Sequence, residues 1–502
     1  MDIRQGFVSG SKVYFIGIKG TGMAALAEFL HNRGVNVSGS DSAEVFYTDA
    51  ILKELGIPYY ESFDARHIEK GKNKPDLIIY SDAYSFSKNP EMAEAQKLEI
   101  PICQYFEALG AYSELCDSSG IAGVHGKTTL TAMAGTLLQG LGLPFQVLVG
   151  SAVKGFGSRS TLTMGNKYFI AETDEYRRHF LFFSPQRIVL TSVEQDHQDY
   201  YPDYNAIREG FLEYLWKLPP GGELIYCADD PGASEAAGII SWEKRNLKLV
   251  PYGFTAEGDW GIISRTSGKG YQRMKLRGLS EEFELKIPGR HTCLNAAAAI
   301  ALASSIIHKE YGGWNKKREI RICEALRNFQ GTRRRSEVLG EAGGIIFVDD
   351  YAHHPTAIKT TLEGLKEFYG RRLVLSFMSH TYSRTAALLD EFANSFKNAD
   401  ILFLHKIYAS ARENYDGTIT GLSLFEKVKA KLGDRVFYSE EPEEAADKLK
   451  GILRPGDLFV TMGAGDNWKL GQKLYTACNA ADIAAGFAAY NTANGGESET
   501  MP

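Results

Sequence analysis

The stretch Gly120-Ile-Ala-Gly-Val-His-Gly-Lys-Thr-Thr-Leu-Thr131 has the residue types and spacing to hold a polyphosphate. Glycines at 120, 123 and 126 let backbone N–H groups turn inward around phosphate oxygens, where side chains would obstruct them. Lys127 then neutralises the terminal phosphates, and the Thr128 hydroxyl is placed to sit on Mg2+. A helical run from Leu130 to Leu138 follows and directs the positive end of its dipole at the same oxygens. Ile121 stands where the common phosphate-loop pattern has its first glycine. The apolar approach and the flanking helix still point to ATP.

Three further constellations carry chemistry. Ile170-Ala-Glu-Thr-Asp-Glu175 and Val193-Glu-Gln-Asp-His-Gln-Asp199 each follow an apolar run, so Glu172 and His197 end up at strand ends beside Lys127 and Thr128. Hard oxygens plus an imidazole suit a divalent cation there, Mg2+ or equally Mn2+. Val348-Asp-Asp-Tyr-Ala-His-His-Pro-Thr356 packs two acids, a tyrosine and two histidines between a strand and a helix opened by Pro355. Ser379-His-Thr-Tyr-Ser-Arg-Thr385 follows the next strand, and its Arg384 is suited to clamp a carboxylate bidentately. Near the N-terminus, Gly17, Gly20 and Gly22 precede Asp41 by about twenty residues. Their spacing is wrong for the dinucleotide fingerprint, but close backbone approach at a helix start suits another nucleotide diphosphate.

These groups need a parallel sheet to bring them to one edge, and the hydrophobic pattern supplies three. Val13–Ile18, Val35–Val37 and Pro75–Ser81 read as strands of a first α/β segment. A second opens at Asp117 and continues through Tyr168–Ala171, Arg187–Thr191 and Glu223–Cys227. It closes with the helix after Pro288-Gly-Arg-His291. A third starts near Phe329 and alternates strands at Gly344–Val348, Arg372–Phe377, Asp400–Leu404, Arg435–Tyr438 and Asp457–Met462 with helices such as Thr356–Phe368. Polar residues at the C-terminal ends of such strands are where open sheets hold ligands.

A chain of 502 residues is too long for one core. Its net charge of −6 offers no broad basic footprint for nucleic acid or anionic membrane. Six cysteines without a C-x-x-C pair fit reduced thiols in a cytoplasm, not a disulfide framework or zinc site. The N-terminus shows no basic stretch leading into an apolar run, so no secretion signal is expected. The longest apolar run, Ala296–Ile307, falls short of a membrane span and contains two serines. The tail, rich in Asn, Gly, Ser, Thr and Glu from Tyr490 onward, is expected to be disordered.

Gly-Val-His-Gly-Lys-Thr-Thr, Asp-Asp-Tyr-Ala-His-His-Pro-Thr and His291-Thr-Cys-Leu-Asn295 together resemble the Mur ligases of peptidoglycan synthesis. Gly-Ile-Lys-Gly-Thr-Gly-Met with Ser-Gly-Ser-Asp41 is similar to the branch that adds L-alanine. Glu175-Tyr-Arg-Arg-His-Phe-Leu181 and His380-Thr-Tyr-Ser-Arg-Thr385 look most like the Gram-positive form of that branch. The resemblance implies an α/β protein of three domains. A Rossmann-like UDP-sugar-binding domain would span 1–113, a central P-loop-like ATPase domain 114–328, and a Rossmann-like C-terminal domain 329–480, with a disordered tail at 481–502.

The same resemblance implies ATP-dependent ligation of L-alanine to the lactyl carboxylate of UDP-N-acetylmuramate in the cytoplasm, through an acyl phosphate. Gly17, Gly20, Gly22, Met23, Ser40 and Asp41 would hold the UDP-sugar. Gly123, His125, Gly126, Lys127, Thr128, Thr129, Asn295, Arg334 and Asp350 would hold ATP, with Asn295 near the adenine and Asp350 on the ribose. Thr128, Glu172 and His197 would support the metal. Tyr351, His353, His380 and Arg384 would meet the amino acid, and His197, His353 or His354 would accept its proton. Lys127, Arg334 and these histidines form the expected catalytic set. A monomer or weak homodimer is expected, with neither nucleic acid nor membrane insertion. Four positions depart from the family pattern: Val124 stands for a threonine, Thr292 for an asparagine, Asn467 for an aliphatic residue and Thr381 for an arginine of the Gram-negative branch. The alternatives are a related ligase that attaches a preformed tripeptide, a nucleotide-binding regulator without ligation, and a dehydrogenase resting only on the first glycine turn.

Overall fold

The computed structural model describes residues 2–494 other than 69–70, 198–199, 244–245 and 410–416. The chain divides into two compact units. One comprises Met1–Arg265, Met274–Glu284 and Thr292–Gln330, the other Thr266–Arg273, Leu285–His291 and Gly331–Pro502.

The first unit contains two sheets. Strands β1 (Lys12–Ile16), β2 (Asn36–Ser40), β3 (Tyr59–Tyr60), β4 (Leu77–Tyr80) and β5 (Ile102–Gln104) form a parallel sheet in the order β3-β2-β1-β4-β5. Val13, Phe15, Ile16, Ile78 and Ile79 are buried, as expected of a parallel sheet covered on both faces. The chain direction across the sheet reverses at β1 and β4, the place where a doubly wound sheet opens a crevice.

The second sheet comprises β6 (Asp117–Ala122), β7 (Phe145–Val153), β8 (Arg159–Thr163), β9 (Tyr168–Glu172), β10 (Arg187–Leu190), β11 (Glu223–Cys227) and β12 (Lys248–Tyr252). Its order is β12-β11-β10-β6-β9-β7-β8, and only β8 runs antiparallel, against β7. β6 therefore lies between β9 and β10. The register pairs Ile121 with Glu172 and Ala122 with Leu190, so three strand ends converge beside the loop after β6. The two sheets pack through Phe29, which meets Phe169 edge-on at 5.5 Å and stacks on Tyr112 at 5.7 Å. Glu28 is buried at the same seam and accepts a 2.6 Å hydrogen bond from the Thr161 hydroxyl; burial raises its pKa.

Strands β13 (Ile262–Gly268), β14 (Tyr271–Leu276) and β15 (Phe283–Leu285) form a small sheet. The main sheet of the second unit comprises β16 (Glu337–Ala342), β17 (Ile345–Asp350), β18 (Arg372–Met378), β19 (Ile401–Leu404), β20 (Val436–Tyr438) and β21 (Asp457–Gly463). Its order is β16-β17-β21-β18-β19-β20, parallel except for β16. Ile358, Leu362, Phe377 and Val460 pack on one face, and Phe347, Phe403, Leu449 and Phe459 on the other. The expected α/β architecture is present, with the antiparallel edges β8 and β16 added.

Two expectations change. Gly120 lies inside β6 and not in the phosphate turn; a Cβ there would come within 2.0 Å of the Tyr214 hydroxyl. The tail expected to be disordered from 481 is helical as far as Asn494, in the helix Asn467–Asn494, because its alanine-rich run favours helix over coil; residues 495–502 lie outside the described residues. The apolar run at Ala296–Ile307 belongs to a helix, Arg290–Tyr311, of membrane-spanning length. With 78% of its apolar window buried, it is a core helix.

Candidate active site

The loop after β6 makes its turn with two glycines that no other residue replaces. Gly123 (φ +127°) would place a Cβ 2.1 Å from the Thr191 hydroxyl oxygen, and Gly126 (φ +83°) one 2.6 Å from Asn295 Oδ1. The helix Lys127–Leu141 starts directly after Gly126, so its first free N–H groups face the turn. The loop is tied to the end of β10: His125 N donates to Ser192 Oγ at 3.1 Å, and Thr191 Oγ1 donates to His125 O at 2.6 Å. His125 Nε2 lies 2.7 Å from Glu194 Oε1.

Lys127 Nζ donates to Gly123 O at 2.5 Å and to Glu175 Oε2 at 2.7 Å. Burial alone would lower its pKa; Glu175, Glu172 and Asp174 outweigh burial and raise it, so the ammonium stays charged. Glu175 also meets His197, whose Nε2 is 3.4 Å from Oε1. One carboxylate thus sets both groups; in sequence Glu175 is one of three acids at this strand end, and only the fold singles it out. Thr128 Oγ1 donates to Glu172 Oε1 at 3.0 Å, while Gly150 N holds the other Glu172 oxygen at 2.9 Å. Asn295, from the core helix, has a buried Nδ2 with no hydrogen-bond partner among the described residues, beside Gly126. A buried amide left unmatched is costly, and a bound acceptor group would satisfy it. Thr129 is buried in the first helical turn.

In the first sheet, Gly17 turns at φ +88° and Gly20 caps the helix Thr21–Asn32. Asp41, expected at the ligand, shapes this turn itself: its carboxylate accepts from Lys19 N (2.7 Å), Ser42 N (2.8 Å) and Tyr84 Oη (3.0 Å). Ser40 donates to buried Glu91 at 2.5 Å, and the Met23 side chain is buried. Lys19, inside the glycine turn, points inward. Its buried ammonium meets Asp49 at 3.1 Å, Glu61 at 3.3 Å and the carbonyls of Ser42 and Glu44 at 3.0 Å each. Gly22 sits against the Tyr105 hydroxyl; a Cβ there would lie 2.5 Å from it.

Three domain descriptions match the chain in order: "Mur ligase family, catalytic domain" over residues 12–115, "Mur ligase middle domain" over 121–303, and "Mur ligase, glutamate ligase domain" over 334–465. The chain belongs to the Mur ligase family. It is 52% identical over 469 residues to the UDP-N-acetylmuramate–L-alanine ligase of Treponema pallidum (strain Nichols), covering 93% of this chain and 97% of that one. It is 39% identical over 461 residues to the protein of the same name from Borreliella burgdorferi, covering 92% and 97%. The crystal structure of UDP-N-acetylmuramate-alanine ligase MurC from Thermotoga maritima superposes with a TM-score of 0.70 at 26% identity, covering 92% and 98%.

The second unit of this Mur ligase gathers its own polar cluster at the ends of β17, β21 and β18. Arg334, in left-handed backbone (φ +58°), donates from Nε to Asp349 Oδ2 at 3.0 Å and from Nη2 to Gly463 O at 2.7 Å, with its guanidinium 4.9 Å over the Tyr351 ring. Arg335 lies over the same ring at 5.6 Å. Asp350 accepts from Ser336 N (2.6 Å) and Ala352 N (2.7 Å), and Asp349 from Thr461 Oγ1 (2.8 Å); burial raises the pKa of both carboxyls. His353 lies 4.7 Å from the Tyr351 ring and 5.7 Å from that of His380, and Arg384 Nη1 donates to His380 O at 3.1 Å. His354 is the N-cap residue of the helix Pro355–Tyr369. Tyr351, His353, His380 and Arg384 therefore do share one strand-end cluster. Two departures from the family pattern have structural reasons. Asn467 bridges Ser376 and Met462 O inside the core, and Thr381 caps the helix that carries Arg384.

Proposed function

We propose that this Mur ligase joins L-alanine to the lactyl carboxylate of UDP-N-acetylmuramate with cleavage of ATP to ADP and phosphate. The observation that carries the reading is the convergence of Lys127, Thr128, Glu172, Glu175 and His197 at three adjacent strand ends. The relatives of that name, matched over nearly the whole chain, support the substrates. We assign the sugar nucleotide to residues 1–113, ATP to 114–328 and the amino acid to 329–480, and place the reaction in the cytoplasm.

The lactyl carboxylate attacks the γ-phosphorus, the bond to the β–γ bridging oxygen breaks, and ADP leaves an acyl phosphate. The alanine amine then attacks the activated carbonyl and phosphate departs as the nitrogen loses a proton. Such phosphoryl transfer needs positioning and charge neutralisation more than covalent help. Lys127, kept protonated by Glu175, neutralises charge on the transferred group, while the glycine turn and the helix start donate N–H groups to phosphate oxygens. The Thr128 hydroxyl and Glu172 carboxylate are hard donors that fit Mg2+ better than a soft metal, and we assign His197, which meets Glu175, as the third ligand. That ion, when bound, would screen the repulsion between phosphate oxygens and the incoming carboxylate. We further assign Arg334 a role in neutralising phosphate charge, and His197, His353 and His354 are the three candidates for the amine's proton.

Phosphate release with UDP-N-acetylmuramate, ATP and L-alanine tests the reading. Release that requires all three supports it. Release with a preformed tripeptide in place of alanine, or none dependent on an amino acid, overturns it.

A further inference from the structure

Between β9 and β10 the chain passes through two consecutive arginines in left-handed backbone, Arg177 (φ +51°, ψ +22°) and Arg178 (φ +59°, ψ +30°). A single non-glycine residue there is uncommon, and a pair persists only where the surroundings enforce it. The surroundings are visible. Arg178 N donates to Glu175 O and Phe180 N to Asp174 O, each at 2.9 Å, and the Phe180 ring stacks on Tyr214 at 4.6 Å. His179 stacks on Phe106 at 3.7 Å and reaches Asp174 Oδ2 at 3.2 Å. Phe106 neighbours Tyr105, which lies against Gly22 of the first glycine turn. The strained segment therefore spans from the first glycine turn to the carboxylate that fixes Lys127 and His197.

Packing explains Arg178, whose guanidinium meets both oxygens of Glu213 at 2.6 and 2.7 Å. It does not explain Arg177. That side chain is exposed and, among the described residues, makes no hydrogen bond or ion pair; it lies 5.4 Å over the Tyr176 ring, which is 5.0 Å from the ring of His197. The strained turn thus holds an uncommitted planar cation beside the phosphate-transfer groups.

We propose that Arg177 binds the lactyl carboxylate of the acceptor and positions it for attack on ATP, a role that rests on the function proposed above. The guanidinium fork matches a carboxylate bidentately, and its charge offsets the repulsion between that carboxylate and the triphosphate. Its bed on Tyr176 limits the orientations it has to lose on binding.

Binding of UDP-N-acetylmuramate and of the same nucleotide sugar lacking the lactyl group separates the carboxylate from the diphosphate. Arg177→Ala is expected to weaken the first by roughly tenfold or more, as for a lost charge-assisted hydrogen bond. Affinity for the second, and the KM for ATP, should stay unchanged. Arg177→Gly, free to adopt the left-handed turn, should lose the same affinity without a lower Tm, and Arg177→Lys should recover only part of it. Equal weakening of both nucleotide sugars, or unchanged acceptor binding in the glycine variant, overturns the assignment. Turnover of the unmodified enzyme with alanine is measured alongside, so that failure of the proposed function is seen separately.

Discussion

The loop after β6 and the segments around Arg177 and His197 both bend the chain through left-handed backbone, using opposite kinds of residue. Gly123 and Gly126 turn at no steric cost, and their missing side chains leave the space that phosphate oxygens need. Arg177, Arg178 and His197 turn at a cost; Arg178 is engaged by Glu213, while Arg177 and His197 carry side chains with chemistry to offer. Of the eight non-glycine residues with positive φ among the described residues, five (Arg177, Arg178, His197, Arg334 and Ser336) lie in the segments that carry the candidate site. The first region is a cradle made by removing side chains. The second is a set of tools held out by strain, and its stability has to come from neighbours such as Glu175, Glu213 and Phe106.

The contrast can be broken most severely at Lys127, the one cation the cradle presents. Lys127→Ala should reduce ADP formation by about 10³-fold, the scale of losing a transition-state charge partner, in an assay with all three substrates. At the next level, the two kinds of turn should answer glycine exchange in opposite ways. Gly126→Ala forces a Cβ to 2.6 Å from Asn295 in a left-handed turn and should lose about 1–3 kcal/mol of stability by thermal denaturation, with a raised KM for ATP. His197→Gly should change stability by no more than about 1 kcal/mol, yet lower turnover by at least about 10²-fold.

Glu175→Gln sharpens the comparison through pH. Lys127 has a pKa raised above its ordinary 10.5, because Glu175, Glu172 and Asp174 together overcome its burial. The stabilisation this gives is fully present below 10.5 and is lost as pH rises through the higher folded value. Without the Glu175 charge, Lys127 loses its proton at lower pH, and the alkaline limb of the rate profile should move toward neutrality. The smallest effect is expected at Phe106→Ala, where loss of the stack on His179 should cost about 0.5–1.5 kcal/mol and leave the KM for ATP unchanged.

Most strands were legible because buried parallel strands read as short apolar runs: Glu223–Cys227 was placed to the residue, and Tyr168–Ala171 and Arg187–Thr191 to within one. The antiparallel edges β8 and β16 were not, since Arg159–Thr163 and Glu337–Ala342 are polar strands that pair on one side only. The glycine cradle was legible because glycine announces a left-handed turn. The turn at Arg177–Arg178 was not, because nothing in two adjacent arginines signals positive φ. The resemblance implies Asp41 at the UDP-sugar; its bonds to Lys19, Ser42 and Tyr84 become visible only once β1, β2 and β4 are side by side. Within the arginine run the resemblance singles out Arg334, and the fold shows how it differs from Arg335: it is anchored by Asp349 and Gly463.

Lys19 turns its charge away from the glycines that surround it and closes it among Asp49, Glu61 and two carbonyls. The first turn is left with peptide dipoles, whereas the second keeps the ammonium of Lys127, held by Glu175 and the Gly123 carbonyl, beside its glycines. Dissolved ions weaken both kinds of attraction, and a full charge has the more to lose where solvent reaches it. On the assignment proposed above, rising salt should weaken ATP binding more than binding of the uridine nucleotide, which titrations of each at several ionic strengths would show.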